Sequence, residues 1–138
     1  MQSKVKWSKR MSFTGSADTK ISLPIGASSR VGGDDDGFRP MELILIGLAG
    51  CTAMDVISIL NKQKQNVTDF EVNIEAERAE THPKVFTNIN LEYKISGISL
   101  NPKAVDTAIK LSKEKYCPAQ AMLGEIVPIN ITVKMDSK

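Results

Sequence analysis

The chain has 138 residues, of which 41% are hydrophobic and 25% charged; that composition folds around a core, and that length suits one domain spanning residues 1–138. The 18 basic and 16 acidic residues leave a charge of only +2. The mild cluster of Lys4, Lys6, Lys9 and Arg10 falls short of the basic stripe with interleaved aromatics that nucleic-acid binding needs, so no nucleic-acid partner is expected.

Near the N-terminus, Met11-Ser12-Phe13-Thr14-Gly15 stands where an apolar signal stretch would lie. The most apolar run, Leu43 to Met54, is 12 residues long and ends at Asp55, short of the roughly 20 that a membrane span needs. No membrane association is expected, and the expected location is the cytoplasm. In that reducing compartment a cysteine pair is more often redox-active than a structural staple.

Residues 4–23 read as two strands joined by a turn at Gly15-Ser16-Ala17-Asp18: Val5, Trp7, Met11 and Phe13 alternate imperfectly in the first, and Ile21 and Leu23 mark the second. A Gly- and Ser-rich loop follows from Pro24 and closes on Asp34-Asp35-Asp36-Gly37. It resembles a solvated turn, because the spaced ligands of a calcium loop are missing.

Pro40 fits a first helical position and Glu42 suits the positive end of the helix dipole; apolar residues then continue to Leu60. The segment is apolar nearly all round between Leu43 and Ile46, which predicts a central helix enclosed on most sides. Two strictly alternating strands come next. Phe70, Val72, Ile74 and Ala76 share one face of the first, Ile89, Leu91, Tyr93 and Ile95 share one face of the second, and His82-Pro83-Lys84 makes the turn.

Asn101-Pro102 is an N-cap followed by proline, opening a helix whose apolar stripe is Val105, Ala108, Ile109 and either Leu111 or Ser112. Pro118 breaks that pattern, a short helical turn covers Ala121 and Met122, and Ile126 to Val133 reads as a last strand. The order β-β-α-β-β-α-β, with antiparallel hairpins and segregated helices, is an α+β architecture.

Only two cysteines exist. Cys51 sits in Gly47-Leu48-Ala49-Gly50-Cys51-Thr52, where each helix-interior glycine costs about 1 kcal/mol relative to alanine. Gly47 is one turn before Cys51 on the same face, leaving room beside the sulfur for a partner helix or a ligand. Cys117 precedes Pro118; a helix starting there places the sulfur near unpaired N–H groups, which favours the thiolate. Either cysteine alone reads as a small buried hydrophobe. Together they are the minimum set for peroxide chemistry, since a sulfenic acid needs a second thiol to condense with before it over-oxidises.

Residues 39–55, Arg-Pro-Met-Glu-Leu-Ile-Leu-Ile-Gly-Leu-Ala-Gly-Cys-Thr-Ala-Met-Asp, resemble the central-helix motif of the OsmC/Ohr family, and Tyr116-Cys117-Pro118 resembles its second cysteine motif. The element order is similar too, so the resemblance covers essentially the whole chain. It implies an intertwined homodimer, in which two long helices are wrapped by sheets and two sites form at the subunit interface. It further implies Cys51 as the peroxide-attacking thiolate, Cys117 as the resolving thiol, an organic hydroperoxide as substrate and a dithiol such as dihydrolipoamide as reductant, with no metal or organic cofactor.

The chain departs from that pattern at two places: the hydroperoxide reductases of the family carry a glutamate directly after the helix-motif proline, paired with an arginine from the N-terminal hairpin region, and here Met41 stands at the glutamate position and the turn Gly15-Ser16-Ala17-Asp18 carries no arginine. Glu42 is nine residues before Cys51, about 900°, which turns it half a turn away on a straight helix. Arg39 and Arg30 are substitutes for the arginine by sequence proximity only, and Arg39 and Glu42 also suit a helix start. Asp55, one turn after Cys51, is a further supporting candidate; a carboxylate beside a thiol disfavours its ionisation unless a cation stands between them, and a structural hydrogen-bonding role suits Asp55 equally. His82, the one histidine, reaches a thiol only if its turn folds onto the site.

Two functions remain. The first is cysteine-based reduction of organic hydroperoxides; the second is a non-catalytic protein whose dimer cleft holds an apolar small molecule or lipid, with structural cysteines. Met41 favours the second and the retention of both cysteines the first. A thioesterase-like fold is more remote, and the Cys-Pro dipeptide argues against it.

Overall fold

In the computed structural model, which describes residues 1–138, Arg10 takes a left-handed conformation (φ 44°) and cuts the N-terminal run in two. Three strands result, β1 (Ser3–Lys9), β2 (Ser12–Ala17) and β3 (Ser22–Ile25), forming an antiparallel sheet in the order β1-β2-β3. The expected order therefore gains a strand, becoming β-β-β-α at this end. Gly15, expected in a turn, lies inside β2 between Val5 and Leu23, and a Cβ there would meet the Ile25 side chain at 3.0 Å. Every residue of β1 is exposed, including Trp7 at 62%.

These strands belong to the first of two compact units, Met1–Leu45 and Ile46–Lys138. The three adjacent aspartates of the first unit each fasten something different. Asp34 pairs with Arg10 at 3.0 Å, Asp36 accepts from the Ser12 hydroxyl at 2.6 Å, and Asp35 accepts from Ser29 N at 3.0 Å and pairs with Arg39. The Ser29 hydrogen bonds, ahead of the Arg39 charge, hold the Asp35 carboxyl below its ordinary range.

The central helix α1 (Pro40–Lys62) begins as expected, with Glu42 Oε2 accepting from Arg39 N at 2.9 Å. It is 23 residues long, with a mean hydropathy of 2.2 over its most apolar stretch, and so is long and apolar enough to cross a membrane by length and composition. Only one stripe of it is buried, Leu48, Thr52, Val56 and Leu60, at four-residue spacing. The expectation of a helix enclosed on most sides is therefore not met within one chain: Ile46 is 50% exposed and Met54 73%.

In the second unit β4 (Asn66–Arg78) and β5 (Phe86–Ile98) form the expected antiparallel hairpin, with His82 exposed in its turn. β6 (Ile129–Ser137) joins β5 in parallel, in the order β4-β5-β6. A parallel neighbour needs a crossover. It is supplied by α2 (Pro102–Leu111), a π-helical turn over Ser112–Tyr116 and α3 (Pro118–Gly124).

The alternation read from the sequence decides the faces. Ile89, Leu91, Tyr93 and Ile95 of β5 are buried, and Leu91, Tyr93 and Ile95 cluster with Val56 and Leu60 of α1 and with Val105, Ala108 and Ile109 of α2. On the other face Glu92 pairs with Lys134 at 2.6 Å and Lys94 with Glu71 at 3.3 Å, a wet ladder. The N-cap of α2 is made as expected, with Asn101 Oδ1 accepting from Lys103 N at 3.0 Å.

Candidate active site

The second unit closes its core around a polar cluster. Thr52 follows Cys51 on the buried stripe of α1, Tyr93 stands on the apolar face of β5, Ser112 ends the stripe of α2, and Gln120 lies in α3. Thr52 Oγ1 lies 2.6 Å from Tyr93 OH and 2.8 Å from Ser112 Oγ, and it accepts from Gln120 Nε2 at 2.9 Å. Ser112 Oγ donates to Asp55 Oδ2 at 3.1 Å.

Hydroxyl chemistry fixes the direction of every bond in this chain. Ser112 has one hydroxyl proton, and the Asp55 carboxylate takes it. Thr52 must then donate to Ser112, which leaves its two lone pairs for Gln120 Nε2 and for the Tyr93 hydroxyl. All protons of the chain Tyr93–Thr52–Ser112 therefore point toward Asp55.

Both cysteines meet at the same place. The sulfurs of Cys51 and Cys117 and a carboxylate oxygen of Asp55 all lie within 4.8 Å of one another, so two thiols 66 residues apart in sequence and the expected supporting carboxylate form one group. Both cysteines are free; Cys51 is half-buried and Cys117 buried. Two sulfurs and a carboxylate are also a donor set that zinc accepts, one ligand short of a closed tetrahedral site.

Cys117 is delivered by the π-helical turn, which closes with Cys117 N donating to Ser112 O at 2.8 Å, five residues back. It then serves as N-cap of α3, its sulfur accepting from Gln120 N at 3.4 Å. The helix start was expected to favour the thiolate; instead burial, followed by the hydrogen bond it shares with Cys51, pushes the Cys117 thiol up to about 11. Desolvation outweighs the two backbone N–H groups that lower it. Cys117 is thus protonated at neutral pH and hydrogen-bonded with the Cys51 sulfur. Burial likewise raises the Tyr93 phenol, against the lowering effect of its bond to Thr52.

Asp55 faces two ways. Besides the thiols it lines a groove of about 280 Å³ with Ser58, Ile59, Lys62, Leu111 and Tyr116. Lys62 supplies a cation along the same groove. On the Cys51 side, nothing beyond the adjoining residues and backbone of α1 itself lies within 4 Å of where a Cβ of Gly47 or Gly50 would stand, so the space expected beside the cysteine turn is open.

The other expected supporting residues are engaged within the first unit: Arg39 donates to Gly37 O at 2.6 Å and pairs with Asp35, and Glu42 caps the start of α1. Thr52, Tyr93, Ser112 and Gln120 were not singled out for chemistry in the sequence. A signal existed at Ser112 and Tyr93, polar groups placed in apolar stripes.

The sequence pattern of the OsmC-like protein family matches residues 33–132, more than half of the chain. Protein YhfA of Escherichia coli strain K12 is 40% identical over 129 residues, covering 94% of this chain and 93% of that protein. A protein from Aquifex aeolicus VF5 is similar in structure, with a TM-score of 0.87 and 28% identity over 99% of this chain and 96% of that one. The organic hydroperoxide resistance protein OsmC of Legionella pneumophila shares the fold, with a TM-score of 0.72 and 21% identity over 96% and 95% of the two chains.

Proposed function

The chain belongs to the OsmC-like protein family, and from that premise we propose that it reduces organic hydroperoxides with its two thiols. The Cys51 thiolate attacks the peroxide oxygen, the O–O bond breaks, and the alcohol leaves as Cys51 becomes a sulfenic acid. Cys117 then condenses with it, releasing water and closing a disulfide. A small dithiol such as dihydrolipoamide reopens that disulfide, and no metal or organic cofactor takes part.

The observation that carries the proposal is the meeting of the two sulfurs within 4.8 Å, one half-buried and one buried and protonated. The half-buried cysteine is the one a substrate reaches, and the buried one is shielded until its partner is oxidised. A homodimer completes the reading, with a second copy covering the exposed apolar side of α1 at Ile46 and Met54. The reaction suits the reducing cytoplasm, where the dithiol state is restored.

A second reading, an apolar small-molecule or lipid binder with structural cysteines, draws on the open space at Gly47 and Gly50 and on Met41 at the family's glutamate position. One equivalent of cumene hydroperoxide separates the two. The peroxidase loses both thiols promptly to an intramolecular disulfide, Cys117→Ser stops at sulfenic acid and Cys51→Ser stays inert; a binder keeps its thiols in all three proteins, or loses them no faster than free cysteine does.

A further inference from the structure

We propose that Asp55 is the proton acceptor for Cys117 in disulfide closure, held in place by the one-way hydroxyl chain Tyr93–Thr52–Ser112. The inference rests on the thiol chemistry proposed above and assigns the step that this chemistry leaves without a base. Disulfide closure needs the Cys117 proton removed as its sulfur attacks. Burial makes that proton hard to lose to water. A carboxylate oxygen within 4.8 Å of both sulfurs is close enough to take it through one water or after a small side-chain movement.

The balance is complete within the site. Cys117 S–H gives its proton to Asp55, the Cys117 sulfur bonds to the Cys51 sulfur, the S–O bond of the sulfenic acid breaks, and Asp55 hands the proton to the departing hydroxide, which leaves as water. The Cys117 sulfur is oxidised and the Cys51 sulfur reduced, each by one electron equivalent, with no outside oxidant or reductant. Asp55 is suited to both transfers because Oδ2 is fixed by the Ser112 hydroxyl, while the carboxylate also lines the groove shared with Lys62 and Tyr116.

The direction of the hydroxyl chain gives it its purpose. A chain of three hydroxyls that merely filled a core could run either way; this one is forced toward Asp55 by the single proton of Ser112 and by Gln120 Nε2, which occupies one lone pair of Thr52. A carboxylate oxygen beside the buried Cys117 thiol is the arrangement that a proton acceptor needs.

Disulfide exchange with 5,5′-dithiobis(2-nitrobenzoate) isolates this step without any peroxide. The first thionitrobenzoate is released as the half-buried Cys51 forms a mixed disulfide, and the second as Cys117 displaces the aryl thiolate. In Asp55→Asn, which keeps an acceptor for Ser112, the ratio of the second rate to the first at pH 7 should fall about 100-fold, within the usual range for a positioned acid or base. Raising the pH toward 11 should restore it as Cys117 ionises by itself; the other titratable groups facing it are Cys51 on α1, Tyr93 on β5, and Lys62 and Tyr116 along the groove. Ser112→Ala should give a smaller fall with the same recovery.

An unchanged ratio in Asp55→Asn, or a fall that high pH does not restore in protein of native circular dichroism, overturns the assignment. Should wild type show the Asp55-dependent second phase yet form no sulfenic acid with cumene hydroperoxide, the base assignment stands and the peroxidase reading falls.

Discussion

Thr52 Oγ1 and Tyr93 OH lie 2.6 Å apart inside the core, and the Tyr93 proton is committed to that bond because Thr52 spends its own proton on Ser112. Thr52→Val keeps the shape of the side chain but orphans the Tyr93 hydroxyl and Gln120 Nε2, each buried. Two unsatisfied buried groups predict a loss of about 2–4 kcal/mol. Urea unfolding should show it as a lower midpoint with an unchanged slope. The double variant Thr52→Val/Tyr93→Phe should lose less than the sum of the single ones, since each change removes a partner the other needs.

The Cys117 thiol makes stability depend on alkaline pH. Below its ordinary value of 9.0 the thiol is protonated in folded and unfolded chains alike, and its contribution is fully present. Above 9.0 the unfolded chain releases the proton first, so the unfolded state binds fewer protons and stability falls until the folded thiol also ionises at about 11. A loss of roughly 2–3 kcal/mol across that window follows from the size of the shift. Urea midpoints measured from pH 8 to 11 should fall in wild type by more than in Cys117→Ala, and parallel curves would contradict the assignment.

Gly47 discriminates an empty space from a filled one. Apart from the adjoining residues and backbone of α1 itself, no atom of the chain lies within 4 Å of a Cβ at Gly47, so in an isolated chain Gly47→Ala should stabilise the helix by about 1 kcal/mol. The proposed dimer reverses the sign where the partner copy approaches the bare backbone beside Cys51. The expected outcome is a lower thermal midpoint for Gly47→Ala that depends on protein concentration; a concentration-independent rise would mean that nothing occupies the space.

The dimer has a second test on the same helix. Ile46 and Met54, eight residues apart, project within about 80° of each other, and both are exposed in one chain. Ile46→Glu/Met54→Glu should convert a dimer to a monomer in sedimentation equilibrium, because two buried unpaired charges cost several kcal/mol. If wild type sediments as a monomer, the partner is not a second copy.

Much of the fold was legible because its signals are local. Strict period-two alternation marked β4 and β5 and which of their faces is wet, Asn101-Pro102 marked the start of α2, and Pro40 with Glu42 marked the start of α1. The missed break at Arg10 has a local cause of another kind: Val5, Trp7, Met11 and Phe13 stay in phase across it, so periodicity carries no trace of the turn. The π-helical turn was invisible for a similar reason, since Ser112–Tyr116 has an ordinary helical composition.

By itself the sequence determined the family, the α+β class, the two cysteines as a pair and Asp55 one helical turn beyond Cys51. These rest on periodicity, capping and short motifs, which a few neighbouring residues specify. Only the tertiary structure decided that Cys117 returns to Cys51, because the parallel crossover from β5 to β6 sets where α3 begins. It also decided that Cys117 stays protonated, because burial is a sum over distant neighbours and here outweighs the helix start that the sequence displayed. The direction of the Tyr93–Thr52–Ser112–Asp55 chain belongs to the structure for the same reason: four residues from three elements must meet before the proton on any one of them is assigned.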